Sequence, residues 1–256
     1  MTSTLAEASA DALAPPPWLD PSQIALFTDL DGTLAPLQAT PCAVGPEPER
    51  RRLLADLDAA LGGRLAVVSG RGLADIDRVL EGRVSAVGAV HGLVRRTAAG
   101  AIEAAAAAGR APEAAAAFQA LARADPGLLV EDKGAAVALH YRGSPQAREA
   151  CRDLAARLAQ ALGLEVQEGD HVVELRAPGP DKGGAIRAFL REPPFVGHVP
   201  VFLGDDLTDE SGFAAVAALG GYPIIVGRRR PTRARYALSD VAGAHAWLRG
   251  LIGPAP

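Results

Sequence analysis

Cysteine is nearly absent from this chain, with Cys42 and Cys151 the only two in 256 residues. Two isolated thiols build neither a disulfide framework nor a zinc site, so a reducing, cytoplasmic setting is expected, with both read as small buried hydrophobes. Aromatic residues make up only 4%, so the core must be assembled largely from Leu, Val, Ile and Ala. An excess of positive charge is missing too. Against 26 Lys and Arg stand 30 Asp and Glu, a formal net charge of −4, which argues against a nucleic acid as main partner. An anionic substrate must then be held by placed Lys, Arg or metal. No apolar run reaches the length of a membrane span, because Lys, Arg, Asp, Glu or Pro interrupts every candidate. Residues 1–17 hold Glu7 and Asp11 but no Lys or Arg, unlike a secretory or transit signal. Residues 1–19 are expected to form a loose tail.

What the chain does contain is an ordinary globular balance, 49% hydrophobic and 22% charged, at a length where one core stops growing and an insertion or second domain is expected. Its most informative stretch is Phe27-Thr28-Asp29-Leu30-Asp31-Gly32-Thr33-Leu34. Ile24 to Thr28 is apolar, long enough for a buried strand and too short for a helix. Asp29 and Asp31 follow at its end, two residues apart and so directed to one side by the alternation of a strand. Such close anions repel, and a bound cation is the natural way to keep both ionised. Asp29 could then attack phosphorus while Asp31 manages a proton. Gly32 permits the turn, and Thr33 offers a hydroxyl to a phosphoryl oxygen or an open helix end. The plainer alternative is a solvated turn, since Asp and Gly are common in loops.

Further along, strand and helix patterns alternate. Leu53, Leu54, Leu57 and Leu61 lie at helical spacing before Gly62-Gly63, Leu65 to Val68 reads as a second buried strand, and Leu73 to Leu80 reads as a helix. This order predicts an α/β fold, a doubly wound parallel sheet with helices on both faces. Residues 109–177 change character, with helices expected over 112–124 and 146–162 among four short strands. We read them as a small α+β module inserted into a core made of residues 20–108 and 178–256. The doubly wound pattern resumes with a helix from Lys182, strand Val199 to Leu203, Gly204-Asp205-Asp206, a helix from Glu210 and strand Pro223 to Val226. The alanine tracts at 104–108 and 114–117 read as helical.

Open α/β sheets bind ligands at the carboxyl ends of their strands, where three further segments would join the first. Ser69-Gly70 offers a hydroxyl and a backbone N–H, Lys182 a cation, and Asp205, Asp206 and Asp209 three carboxylates. Taken singly, Ser69 could be a helix cap, Lys182 a solvated charge and the acidic group a complement to a helix dipole.

Asp29 to Thr33, then Ser69, then Lys182, then Asp205-Asp206 resembles the motif order of the haloacid-dehalogenase superfamily. Within it, Val67 to Arg71, His91-Gly92 with Arg95-Arg96, Glu131 to Gly134, Leu139 to Arg142, Val173 to Leu175 and Phe202 to Phe213 resemble the trehalose-6-phosphate phosphatases, over about residues 20 to 250. One position departs: many members carry Glu where this chain has Val94.

The resemblance implies a fold, a reaction and a set of roles. Asp29 would be the nucleophile and Asp31 the acid and base, aided by Ser69 and Lys182. A Mg²⁺ would be held by Asp29, the Asp31 carbonyl and Asp205, with Asp206 and Asp209 orienting that group. The inserted module would close over the site and read the sugar. Thr33, Gly70, Arg71, His91, Gly92, Glu131, Lys133, Arg142 and Glu174 are the expected substrate contacts, although Glu131, Lys133, Arg142 and Glu174 could instead form a cross-strand ladder of surface charges. His91 and His140 belong to no metal-ligand spacing and are expected to play structural or supporting parts. The expected partner is a small sugar phosphate, met by a monomer.

Overall fold

The computed structural model describes residues 13–38, 40–105, 109–229 and 231–253. Its first half runs β1 (Ile24–Thr28), α1 (Pro48–Ala60), β2 (Leu65–Val68), α2 (Leu73–Leu80), β3 (Ala86–Ala89), β4 (Val94–Arg96), β5 (Ile102–Ala104), α3 (Ala111–Ala122), β6 (Leu129–Asp132) and β7 (Ala136–His140). There follow α4 (Arg148–Leu162), β8 (Glu165–Gly169), β9 (Val172–Arg176), α5 (Lys182–Phe189), β10 (Val199–Gly204), α6 (Glu210–Ala218), β11 (Tyr222–Val226), β12 (Tyr236–Leu238) and α7 (Val241–Ile252).

Two sheets result. The larger has the order β12-β11-β10-β1-β2-β3-β4-β5, parallel from β12 through β3 and antiparallel at β4 and β5. Every residue of β1, β2 and β3 is buried, which is why these strands read as unbroken apolar runs. Alternation divides each strand between two cores. Leu26, Val67, Val87 and Leu203 pack with Leu54 and Leu57 of α1, Ile76 and Val79 of α2 and Leu248 of α7. Phe27, Ala66, Val68 and Phe202 pack instead with Ile186 and Phe189 of α5 and Phe213 and Val216 of α6. The aromatic residues, scarce in the sequence, gather here: Phe27 stacks on Phe195 at 5.4 Å, and Phe202 meets Phe213 at 5.4 Å. Phe202→Ala is therefore expected to cost about 3–5 kcal/mol as a cavity opens under α6. A melting temperature close to the parent's would contradict this placement.

Helix starts follow the local chemistry. Glu47 accepts from the N–H groups of Glu49 and Arg50 at 2.8 and 2.6 Å, with Pro48 opening α1. Asp181 accepts from Gly184 N–H at 2.8 Å and so begins α5 at Lys182.

The smaller sheet is antiparallel, ordered β6-β7-β9-β8. Val137, Leu139, Val173 and Leu175 pack against Phe118 of α3 and Cys151 and Ala155 of α4. On the opposite face Glu131, Ala138 and Glu174 stand side by side across three strands. That polar face is turned toward the larger sheet's strand ends.

Three expectations meet a different outcome. The loose tail is expected through residue 19; residues 1–12 lie outside the described residues, but 13–19 lie against the core, where Ala14 O accepts from Ala237 N–H at 3.0 Å, Leu13 packs and Leu19 is buried. Ala104 ends a strand rather than lying in a helix, since the β4 backbone pairs with it. The parallel sheet also gains the antiparallel pair β4 and β5, hidden in a sequence of Arg and Glu.

Candidate active site

Three strands of the larger sheet end together. Asp29 follows β1 and donates its N–H to Leu203 O of β10 at 2.8 Å, while Ser69 follows β2 and donates to Gly88 O at 2.8 Å. Asp205 and Asp206 follow β10. Lys182, at the start of α5, reaches into the same place: its Nζ lies 3.0 Å from Asp29 Oδ1 and 2.7 Å from Asp209 Oδ1. Asp209 is wholly buried, and its other oxygen accepts from the N–H groups of Asp205 and Asp206 at 2.9 and 3.0 Å. It fixes the ammonium and the acidic turn with one carboxylate.

Burial lifts the Asp29 carboxyl well above its ordinary range, more than Lys182 lowers it, and Asp209 and Asp205 add to the rise. Burial likewise raises Asp205, with Asp209 and Asp206, to about 7. For Lys182 burial works the other way, but Asp209 and Asp29 outweigh it and keep the ammonium charged. So much carboxylate against one ammonium calls for a further cation. Oxygens of Asp29, Asp205 and Asp209 lie within 4.8 Å of one another, and because those of Asp209 are already committed, Asp29 and Asp205 are the carboxylates left to hold a metal. Gly32 makes the room. Its φ is +76°, and a Cβ there would stand 2.1 Å from an Asp205 carboxylate oxygen. These residues fit a small divalent cation of the oxygen-preferring kind.

Asp31 differs from the expectation that one bound cation serves both carboxylates. Its oxygens are gripped by Arg71, Nε to Oδ2 at 2.6 Å and Nη2 to Oδ1 at 2.7 Å. Arg71 also donates to Pro41 O at 2.9 Å and pairs with Asp75.

These groups line one cleft of about 400 Å³, whose opposite wall is the polar face of the smaller sheet. Of the expected residues, Asp29, Asp31, Ser69, Gly70, Arg71, His91, Glu131, Lys133, Glu174, Lys182, Asp205 and Asp206 all line it. Lys133 pairs with Glu174, and His140 Nε2 lies 3.0 Å from Glu131 Oε2. Burial works against the Lys133 charge, yet Glu174 and Glu131 raise it above the usual lysine range. His91 is held well below the usual histidine range, by burial first and then by Lys182, Lys133 and Arg176. It is a neutral imidazole whose Nε2 lies 3.9 Å from Glu174 Oε1. His91 and Val90 both have positive φ, 57° and 49°, a costly backbone state for a β-branched residue. Backbone bonds from His91 N–H to Ser69 O and from Val90 N–H to Arg71 O, each 2.9 Å, hold them there.

Other expected contacts lie elsewhere. Thr33 is fully buried, with no hydrogen-bond partner for its hydroxyl among the described residues, and does not line the cleft. Gly92 is buried as well; a Cβ would stand 2.8 Å from Asp181 O, so it serves the close approach of α5. Arg142 is exposed and pairs with Asp170 at 2.7 Å. By alternation it should share a face with Ala138 and His140, but β7 ends at His140 and the chain turns away. Val94, where the resemblance would place a Glu, lines a neighbouring apolar cavity of about 910 Å³ with Leu73, Ala104 and Leu129. Sequence reasoning missed Gln38, Thr40, Val172 and Thr208 as wall residues and gave His140 only a supporting part. The alternation of β7 could have found His140.

This chain is similar to several known proteins. A sequence profile of the trehalose-phosphatase family matches residues 27–242. A probable trehalose-phosphate phosphatase of Sinorhizobium fredii is 40% identical over 230 residues, covering 89% of this chain and 86% of the relative. The trehalose-6-phosphate phosphatase of Escherichia coli is 38% identical over 233 residues, with the same two coverages, 89% and 86%. Among solved structures, a trehalose-6-phosphate phosphatase related protein superimposes with a TM-score of 0.78 at 26% identity, over 90% of this chain and 96% of that one. The C-terminal domain of the Candida albicans trehalose-6-phosphate phosphatase shares the fold, with a TM-score of 0.76 at 22% identity over 92% and 94% of the two chains. With the motif residues gathered at the strand ends and the profile running across both sheets, the chain belongs to the trehalose-phosphatase family.

Proposed function

We propose that this chain hydrolyses trehalose 6-phosphate to trehalose and phosphate through an aspartyl-phosphate on Asp29. The observation that carries the reading is a single cleft walled on one side by Asp29, Lys182 and Asp205 and on the other by Glu131, Lys133 and Glu174. The first side suits a phosphoryl group. The second suits a neutral, hydroxyl-rich leaving group.

In the first half-reaction an Asp29 oxygen bonds to phosphorus, the bond from phosphorus to the sugar oxygen breaks, and Asp31 gives that oxygen a proton. In the second, Asp31 takes a proton from water as the water attacks phosphorus, freeing Asp29 and phosphate. Asp31 must enter the first half-reaction protonated, and the Arg71 fork then matches bidentately the carboxylate it leaves, the form of Asp31 that deprotonates water. Ser69 and Lys182 offset charge on the phosphoryl oxygens. Mg²⁺, held by Asp29, Asp205 and the Asp31 carbonyl, would supply electrostatic stabilisation of the phosphoryl group. We read residues 109–177 as the module that covers the site and recognises the sugar, and the enzyme as a cytoplasmic monomer. The two free thiols, Cys151 buried as expected and Cys42 exposed against expectation, suit a reducing compartment.

Phosphate release from a panel of sugar phosphates, with and without Mg²⁺, tests the substrate, and trehalose 6-phosphate is expected to lead the panel. Alanine at Glu131, Lys133 or Glu174 should lower kcat/KM for trehalose 6-phosphate about tenfold to about a hundredfold, since hydrogen bonds to charged groups contribute about 1.5–3 kcal/mol. A small aryl phosphate should suffer much less. Equal losses on both substrates for all three variants would refute the smaller sheet as the reader of the sugar.

A further inference from the structure

The polar face of the smaller sheet carries two carboxylates, each engaged through one oxygen by a basic neighbour. Lys133 Nζ donates to Glu174 Oε2, and Glu174 Oε1 is buried with no hydrogen-bond partner among the described residues. Glu131, less buried, is likewise held through one oxygen. His140 Nε2 lies 3.0 Å from Glu131 Oε2, across the strand pair β6 and β7, two residues on from Ala138, which stands directly opposite Glu131. Burial would raise the Glu131 carboxyl, but the hydrogen bond from His140 and the charge of Lys133 bring it below its usual range. Glu131 is thus an anion that only accepts, so His140 Nε2 is the donor.

We propose that His140 is a positioning residue for sugar recognition: it commits one Glu131 oxygen to the imidazole and leaves the other to accept from a substrate hydroxyl. The inference rests on the sugar-phosphate reading above and deepens it. Without the imidazole, Glu131 keeps two other attractions, since the charges of Lys133 and Arg71 both act on it. A carboxylate that swings toward either is lost as an acceptor for the sugar, whereas one already held forms its substrate bond without a further ordering cost. Lys133 does for Glu174 what His140 does for Glu131. Two such acceptors side by side favour a leaving group rich in neutral hydroxyls and repel one that carries a carboxylate.

The test is a double-variant cycle on the full chain with Mg²⁺, using His140→Ala, Glu131→Ala and the two combined, assayed on trehalose 6-phosphate and p-nitrophenyl phosphate. His140→Ala should lower kcat/KM for trehalose 6-phosphate about two- to tenfold, mainly through KM, by a larger factor than for the aryl phosphate. His140→Gln, which keeps an N–H at similar reach, should recover most of that loss. The combined variant should be no worse than Glu131→Ala alone, because His140 acts through Glu131. If the alanine variant does not fold, His140→Asn, whose shorter amide stops short of Glu131, serves in the same cycle. Losses that multiply in the double variant, equal losses on both substrates, or a glutamine as impaired as the alanine would overturn the assignment of His140. A parent enzyme that turns over p-nitrophenyl phosphate but not trehalose 6-phosphate would instead overturn the sugar reading on which it rests.

Discussion

Asp29→Asn is expected to abolish turnover, by on the order of 10⁴-fold or more, while leaving the protein folded. The amide is a poor nucleophile and a weaker metal ligand, and among the described residues no second carboxylate stands where Asp29 does. Asp31 is bound in the Arg71 fork, and Asp209 is committed to Lys182 and two backbone N–H groups. Folding should survive because Lys182 keeps Asp209 at 2.7 Å, so the substitution leaves no buried ammonium unpaired. Phosphate release and a melting curve on the same preparation check both halves. Turnover near the parent rate, with contaminating phosphatase excluded, would remove Asp29 as nucleophile.

Removal of divalent metal should be equally severe. Exhaustive chelation is expected to stop catalysis, with Mg²⁺ restoring it and Ca²⁺ doing so poorly, since its larger and less regular shell misplaces nucleophile and phosphate. Asp205 adds a pH signature. Its carboxyl in the metal-free fold is pushed up to about 7, against about 3.9 in an unfolded chain. Between these values the folded state binds more protons than the unfolded one, so this group's contribution to metal-free stability declines as pH rises through the window and levels off above it. A Mg²⁺ held there would take the place of that proton. The rise in melting temperature on adding Mg²⁺ should therefore grow from about pH 4 to about pH 7. Full activity after chelation would exclude the metal from the reaction, and a Mg²⁺ effect that ignores pH would exclude Asp205 from its site.

The sequence and the structure agree most closely where one residue type serves one physical demand. Strands buried on both faces tolerate little but apolar side chains, so β1, β2 and β10 could be read directly, and Asp29, Lys182 and Asp205 fall at element ends that the sequence marks. Legibility fails where partners are distant. Arg95 and Arg96 carry no strand pattern, yet Arg95 bonds Glu103 and Glu192 while Arg96 bonds Asp77, and these contacts turn a charged stretch into β4. The same limit hid Ala14, whose carbonyl accepts from a strand more than two hundred positions away. Arg142 misled in the opposite direction, because alternation persists as a pattern after β7 has ended. Thr33 and Gly92 sit inside motifs whose neighbours face the cleft, and sequence cannot say which members of a motif support the backbone and which meet the ligand.

The placement of β1 between β2 and β10 also sets a schedule. Thr28 leaves the ribosome long before Val199, its neighbours' register fixed only when β10 arrives. At about 5–20 residues per second, that interval lasts roughly ten to thirty seconds. Throughout it one edge of a largely apolar strand has no backbone partner, a state prone to pairing with other chains. Asp29, the proposed nucleophile, is among the first functional residues made, and it acquires Lys182 and Asp205 only near the end of synthesis. A nascent chain is therefore inert toward phosphate esters until nearly complete, and release of fragments ending before β10 should yield aggregates rather than partial enzymes.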